Sequence, residues 1–532
     1  MRIPNSFKVS LLAVCFFLPL FCFAQGQKPL PNWQNLDLKT DGMFGISTEK
    51  AYKELLKDKK HTPVLVAVID GGVDIEHEDL KKVIWTNPNE IEGNKADDDK
   101  NGYVDDVHGW DFIGSAKGDV RYDNLELTRL LRPDYTKYKY ADPKNLRVEE
   151  RTAYAQYQKL DKALDEKKME AQTNQAYIEG FIKALDLMIQ HIHIKEPSFK
   201  DLFYFIPQSP GDAWVRKVVL DNYGPGDFHD FLEYFVYDDL RNCQAILNYQ
   251  TNINFESRDT VGDNYADINE HYYGNNDVTG PDADHGTHVS GIIGAVRDND
   301  LGVKGVANDV MIMSVRTVPD GDERDKDVAN AIRYAVNNGA KVINMSFGKD
   351  YSPNKKAVDD AVKYAMSKDV LMVHATGNDN KNKDTTQNYP NPVYEDNSGT
   401  AAAWIEVGAA GFKDDENLKA SFSNYGKNTV DVFAPGMRIV STAPGSKYRE
   451  HDGTSMAAPV VTGLAALIRS YYPNLTAVQV KEIIMKSVTK VNHKVIVKID
   501  KSTKSRKVPF EDLCKSGGIV NAYEALKLAA TY

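Results

Sequence analysis

Residues 64–72 read VLVAVIDGG, and this stretch decides the fold class. A short run of apolar, mostly β-branched residues is typical of a strand buried on both faces, as in a parallel sheet. Asp70 stands where the strand ends, because Gly71 and Gly72 break the extended run. The carboxyl ends of strands are where binding sites form in open α/β sheets. The stretch therefore predicts a parallel strand with a candidate functional carboxylate at its end.

Similar strands recur downstream, with helical segments between them. Strands are predicted at 310–315, 341–345, 370–374 and 430–434, and helices at 325–338 and 354–368. Strands that alternate with helices in this order predict an α/β domain with a mainly parallel central sheet.

The region from Gly114 to Glu270 breaks this alternation. Its 149–193 stretch is typical of a helix, since Tyr154, Tyr157, Leu160 and Leu164 recur at steps of three and four residues. We therefore expect a mainly helical insertion at 114–270 that divides the α/β domain into 25–113 and 271–532. Its aromatic residues are interpreted as its own core.

The amino end is typical of an export signal. Arg2 and Lys8 precede an apolar run, and Ala24 offers a small residue for cleavage. Residues 1–24 are therefore predicted to be a signal peptide, and the protein to be periplasmic or secreted. Lipid attachment at Cys22 is the less favoured alternative, because the residue before it is bulky. No later apolar run reaches about 18 residues, so no stable membrane span is expected.

The composition indicates which classes of partner the protein can bind and how its cysteines can be used. The 532 residues carry a formal net charge of -11, which indicates a soluble surface and not the basic face of a nucleic-acid-binding protein. Beyond the signal, the cysteines are Cys243 and Cys514. They could pair in an oxidising compartment or remain two buried thiols. Neither lies in a metal-type cluster.

Two further segments carry residue types that suit nucleophilic catalysis. Residues 284–291 read DHGTHVSG and place His285 at the start of a tightly packed helix, while His288 is assigned to packing. Residues 453–459 read GTSMAAP and place Ser455 at the amino end of an apolar helix. Free N–H groups and the helix dipole stabilise negative charge there. A serine hydroxyl also needs an adjacent base, and that base needs an orienting acid.

Together the three segments resemble those of the subtilisin-like serine proteases (subtilases, peptidase family S8), in the chain order Asp70, His285, Ser455. The resemblance implies a three-layer subtilisin-like fold and a serine endopeptidase that cleaves proteins or peptides through an acyl-enzyme. It also implies that Asn378, in the segment HATGN at 374–378, donates to the oxyanion. Two substrate-binding walls are implied: Ser346-Phe347-Gly348 and Ala375-Thr376-Gly377.

The sequence departs from the resemblance in the long separation of Asp70 and His285. The insertion between them could be a lid, a substrate selector or a docking module. The stretch between Ala24 and Val64 is short for a folded inhibitory propeptide, so activation by propeptide removal is not expected. Two other functions remain open: a noncatalytic peptide-binding protein, and a transpeptidase or macrocyclase.

Residues 97–106, DDDKNGYVDD, predict a metal site. Asp97, Asp99 and Asn101 alternate before a turn, and Asp105 follows, as in the opening half of a calcium loop. The closing glutamate of an EF-hand is absent, but hard oxygen ligands favour calcium. A solvated acidic turn is the alternative. No organic cofactor is expected.

Overall fold

A computed structural model describes residues 29–222, 228–499 and 504–532. The predicted signal peptide lies outside the described residues and stays a prediction. Within the described ranges, no helix combines the length and the apolar character needed to cross a membrane.

Strands and helices alternate through most of the described chain. The strands are β1 (Val64–Asp70), β2 (Gly109–Asp111), β3 (Gly114–Ser115), β4 (Gly118–Asp119), β5 (Val310–Arg316), β6 (Val342–Met345), β7 (Leu371–Ala375), β8 (Trp404–Ala410), β9 (Val432–Pro435), β10 (Ile439–Ala443), β11 (Lys447–His451), β12 (Thr489–Lys490), β13 (Lys494–Lys498), β14 (Ser505–Pro509) and β15 (Gly518–Ile519). The α-helices are α1 (Leu38–Asp41), α2 (Thr48–Ala51), α3 (Glu126–Tyr138), α4 (Arg151–Ile192), α5 (Phe199–Tyr204), α6 (Pro210–Asn222), α7 (Phe228–Phe231), α8 (Asp238–Ala245), α9 (Arg258–Val261), α10 (Asp284–Gly294), α11 (Asp325–Asn337), α12 (Lys355–Ser367), α13 (Thr454–Tyr471), α14 (Ala477–Lys486) and α15 (Ala522–Ala529). Short 3-10 helices lie at Trp33–Asn35, Pro143–Asn145, Val148–Glu150 and Phe510–Asp512, and π turns at Tyr52–Leu56, Leu232–Tyr237 and Ile246–Gln250.

A nine-stranded sheet crosses the centre of the molecule in the order β12-β15-β9-β8-β7-β6-β1-β5-β2. Its neighbouring strands are parallel, except that β12 runs antiparallel to β15. This is the mainly parallel α/β sheet that the sequence predicts, and the predicted strands at 310–315, 341–345 and 370–374 are all in it.

Helices cover both faces of the sheet. Along β1, Val64, Val66 and Val68 pack into one core cluster, while the alternate residues point into another. The first cluster includes side chains of α10, α13, α14 and α15, and the second includes side chains of α11 and α12. The result is the three-layer arrangement that the resemblance implies, because each strand of a parallel sheet must bury both of its faces.

The strand order sets where a site can form. β1 lies between β5 and β6, so the chain crosses from one side of β1 to the other after β5. β1 ends at Asp70, β6 at Met345 and β7 at Ala375, all at the carboxyl edge of the sheet. A crevice at such a reversal of strand order is where α/β sheets bind ligands.

Between β4 and α10 the described chain is mainly helical and has its own apolar clusters. Tyr157, Leu160 and Leu164 of α4 are buried against α3, in agreement with the spacing that predicts this helix. A second cluster joins the other half of α4 to α5, α6 and α7. Cys243 lies in α8 and Cys514 packs beside β13, so the two are separate buried thiols and not a disulfide.

Buried ion pairs hold both ends of this helical region against the start of α11 and the segment after β6. We refer to them as the anchoring pairs: Asp123–Arg324 at 2.8 Å, Glu126–Lys349 at 2.9 Å, Arg258–Asp327 at 2.7 Å and Asp263–Lys326 at 2.7 Å. A buried charge is tolerated only when it is paired and hydrogen-bonded. The region is therefore tied to the sheet domain at its beginning and at its end.

Candidate active site

Asp70 and His285 are brought together although the whole insertion separates them in sequence. The imidazole Nδ1 of His285 lies 2.8 Å and 3.0 Å from the two carboxylate oxygens of Asp70. Asp70 is only 3% exposed, and the backbone N–H of Gly71 donates to its Oδ1 at 2.8 Å. Gly286 permits this approach, because a Cβ there would overlap the carbonyl of Gly72.

The electrostatics of this pair fix the protonation of the imidazole. A carboxylate only accepts, so Nδ1 carries the proton and Nε2 is left as the basic atom. Burial alone would lower the pKa of His285, but the charge and hydrogen bond of Asp70 outweigh it and hold the pKa above 6.5. The His285 side chain remains 45% exposed, so the ring is open to the cleft.

Ser455 is the second residue of α13 and lies at the same edge of the sheet. Its hydroxyl donates to the carbonyl of Ser346 at 3.0 Å, and the Ser346 hydroxyl donates to the carbonyl of Ser455 at 3.0 Å. Within the described ranges, no hydrogen bond joins Ser455 to His285. Catalytic hydrogen bonds are often long without substrate and tighten in the complex.

Asn378 follows β7 and packs against the beginning of α13. Its Oδ1 accepts from both the backbone N–H and the hydroxyl of Thr454, each at 2.9 Å. Because a backbone N–H can only donate, this pair of bonds fixes the amide orientation, and Nδ2 donates to no group in the part of the chain that the structure describes. The N–H of Ser455 is in the first turn, where no intrahelical acceptor exists. Two donors thus lie at one helix end.

A cavity of about 260 Å³ opens beside Ser455 and Asn378. Five of the six residues predicted as substrate walls line it: Ser346, Phe347, Gly348, Ala375 and Gly377. Thr376 does not; it is 1% exposed, and its carbonyl accepts from Asn424. Asn388 also lines the cavity and lies so close to Gly348 that a Cβ there would be 2.8 Å from its Nδ2.

The helical insertion also contributes to this cavity, which sequence reasoning missed. Leu125 and Leu127, at the start of α3, and Lys167, on α4, line it together with the predicted walls. Asp350 and Asp379 line it as well, and each lies 3.5 Å from Lys381. The residue spacing of α4 does not predict that Lys167 lines the cavity. The packing of a long helix decides which of its faces meets a cleft, and the spacing does not show that packing.

The acidic loop brings together a different set of carboxylates from the set that its residue spacing indicates. Ligand oxygens of Glu90, Asp99 and Asp106 all lie within 4.8 Å of one another. Glu90 Oε2 is buried and has no hydrogen-bond partner among the described residues. Burial raises the pKa of Asp106 to about 6 despite its hydrogen bonds from Tyr334 and asparagines. Hard oxygens crowded in this way fit a calcium ion.

Of the four predicted metal ligands, only Asp99 belongs to this group. Both oxygens of Asp97 accept backbone N–H groups of the loop, from Asn101 at 3.0 Å and Gly102 at 2.9 Å. Asn101 donates its amide to Asp99 and Asp106. One oxygen of Asp105 accepts the N–H of Lys95 at 2.9 Å, while the other is buried without a partner.

Comparisons with known proteins give one family match and several relatives. The model of the Subtilase family matches residues 61–500. The chain is similar to a thermophilic serine proteinase of Bacillus sp. (strain AK1), at 39% identity over 209 residues, which are 39% of this chain and 47% of that protein. It is similar to subtilisin BL of Lederbergia lenta, at 38% identity over 37% of this chain and 67% of the relative. Thermitase of Thermoactinomyces vulgaris is 40% identical over 35% of this chain and 61% of its own length. The chain thus spans about half the length of the first of these relatives.

Proposed function

Because the chain belongs to the subtilase family, we propose that it is a serine endopeptidase whose triad is Asp70, His285 and Ser455. The observation that carries this proposal is the pair of hydrogen bonds from His285 to Asp70, at the sheet edge where Ser455 begins α13. An orienting acid, a base and a hydroxyl at a helix amino end are the parts that acyl transfer requires.

The proposed mechanism assigns each residue one task. His285 Nε2 takes the proton from Ser455 as the serine oxygen bonds to the peptide carbonyl carbon, and Asp70 stabilises the resulting imidazolium. The Nδ2 of Asn378 and the N–H of Ser455 donate to the oxyanion. His285 then protonates the leaving amine as the C–N bond breaks. Water, activated by the same imidazole, hydrolyses the acyl-enzyme.

The substrate is proposed to be an extended polypeptide segment bound along Ser346–Gly348. The N–H and C=O of Gly348 make no hydrogen bond within the described chain and lie at the cavity, so they can pair with a peptide backbone. The insertion acts as a substrate selector, because Leu125, Leu127 and Lys167 share this cavity. We also propose that the protein is exported, on the strength of its amino-terminal signal pattern.

Calcium is proposed to stabilise the loop after β1. Glu90, Asp99 and Asp106 would hold the ion, because their oxygens converge and one of them lacks any protein partner. An ion held there would have a structural role, because it would neutralise carboxylates that lie close together.

The decisive experiment is covalent labelling by a fluorophosphonate probe, with Ser455→Ala beside the folded wild type. We expect labelling in the wild type, none in the variant, and peptide products whose masses fit hydrolysis. Folded wild type that takes no label would contradict the proposal and favour a peptide-binding protein. Joined products in place of hydrolysed ones would instead indicate a transpeptidase.

A further inference from the structure

A buried histidine–carboxylate pair lies behind the substrate-binding wall formed by Ser346–Gly348. His374 is the fourth residue of β7, and Glu406 is its partner in register on β8. The Nδ1 of His374 lies 3.0 Å from each Glu406 oxygen, and its Nε2 lies 2.9 Å from the carbonyl oxygen of Phe347. The His374 side chain is 0% exposed and that of Glu406 is 10% exposed.

These contacts fix the orientation of the His374 ring. A carbonyl oxygen only accepts, so Nε2 of His374 donates to Phe347. On the other side of the ring, Nδ1 lies against Glu406, which also accepts a hydrogen bond from the indole of Trp404 at 2.9 Å. The ring is thus held at both of its nitrogens.

The contact between His374 and Phe347 matters because Phe347 is the middle residue of the wall formed by Ser346–Gly348. Successive carbonyls of an extended segment point to opposite sides. The carbonyl of Ser346 meets Ser455 in the cleft, whereas that of Phe347 meets His374 in the interior. Holding Phe347 inward thus turns the polar groups of its two neighbours toward the cleft.

We propose that His374 and Glu406 are positioning residues for substrate binding, which hold the Phe347 carbonyl inward and so set the Ser346–Gly348 edge for a peptide backbone. The proposal rests on the proposed peptidase function. It adds a second set of residues to that function, one that never touches the substrate and acts only through Phe347.

The kinetic test compares His374→Leu, which removes the donor, with His374→Gln, which can keep a donor toward Phe347. For a chromogenic peptide that extends along the wall, we expect His374→Leu to raise KM about tenfold with kcat little changed, as for the loss of ground-state binding. Inactivation by the small fluorophosphonate, which does not use the wall, should stay within about twofold. His374→Gln should recover most of the KM effect. Equal losses for peptide and probe would overturn the proposal.

A spectroscopic test does not depend on activity. With ¹⁵N-labelled histidine, and His374→Gln to assign the signals, the Nε2 of His374 should carry the proton that is donated to the Phe347 carbonyl. A His374 whose Nε2 carries no proton in the wild type would overturn the proposal. Wild type that hydrolyses no peptide would instead count against the proposed function, while this measurement would still report on His374.

Discussion

His285 can act as a base only while its Nε2 is unprotonated, and this sets the pH at which activity is lost. Burial lowers the pKa of His285, but Asp70 outweighs it and keeps the pKa above 6.5. Activity should therefore be complete above that pKa and fall as the pH drops through it. In Asp70→Asn the carboxylate charge is gone, so the acid limb of kcat/KM should move to lower pH, and kcat should fall by about 10⁴-fold. An acid limb that stays in place would show that it belongs to another group.

Asn378 permits a second prediction for a single residue. Asn378→Ala removes one oxyanion donor, so kcat should fall by about 10²–10³-fold with KM nearly unchanged, since the bond is made in the transition state. Asn378 is exposed, so the melting temperature should change little. A change confined to KM would place Asn378 in ground-state binding and contradict the oxyanion role.

The order Asp70, His285 and Ser455 can be read from short motifs, because each motif ends a strand or begins a helix. His374 and Glu406 could not be found in that way. Each is one polar residue in an apolar strand, and their contact depends on β7 and β8 being neighbours in register. The only sequence signal is a charged residue inside a buried strand, which needs a partner.

The loop that carries Asp99 shows the same limit of sequence motifs at the scale of a structural element. Alternation along 97–101 indicates acidic ligands but does not reveal which carboxylates turn back to cap backbone N–H groups. Asp97 does so, whereas Glu90, outside the motif, converges on Asp99 from an earlier part of the loop. Calcium at about 100 times its Kd would stabilise the fold by about 2.7 kcal/mol.

We therefore expect added calcium to raise the melting temperature of the wild type, and chelation to lower it. Glu90→Gln removes a proposed ligand and should abolish most of this response. Asp98→Asn removes a charge from the same loop but none from the carboxylate group, so it should keep the response. Equal responses in all three proteins would contradict the site.

Helix α4 supplies a prediction on selectivity. Lys167 is exposed and lines the cavity beside Ser455, so Lys167→Glu should leave the fold intact and reverse a local charge. We expect kcat/KM to fall several-fold for peptides with acidic side chains and to rise for basic ones. Lys183→Glu, on an exposed part of the same helix, is the matched control and should change neither value. Identical kcat/KM values for the two variants across these peptides would show that α4 does not contribute to the substrate cleft.

For the whole molecule, the anchoring pairs make the insertion and the sheet domain interdependent. Arg258→Met leaves Asp327 buried without its cation, which costs about 3–5 kcal/mol for such pairs. The denaturant concentration at the midpoint of unfolding should fall accordingly. It should fall less in the double variant Arg258→Met/Asp327→Asn, because the uncompensated charge is gone. If the double variant loses as much stability as Arg258→Met and Asp327→Asn lose together, the two residues do not interact.

The sequence could establish that an insertion exists, but not what it does. Its length and helical period are visible in Tyr157, Leu160 and Leu164, whereas the docking of its ends depends on Arg324 and Asp327, far along the chain. The insertion is tied down by the anchoring pairs and also lines the cavity with Leu125, Leu127 and Lys167, which favours the substrate selector over a freely hinged lid.

The position of β1 inside the sheet has a consequence for how this protein is made. Val64 pairs with Val310, and Val66 pairs with Val342, so β1 leaves the ribosome long before either of its neighbours has been synthesised. During that interval an apolar, β-branched segment has both edges open, which favours aggregation and slow folding. Newly made chains should therefore depend on a holding chaperone until β6 has emerged.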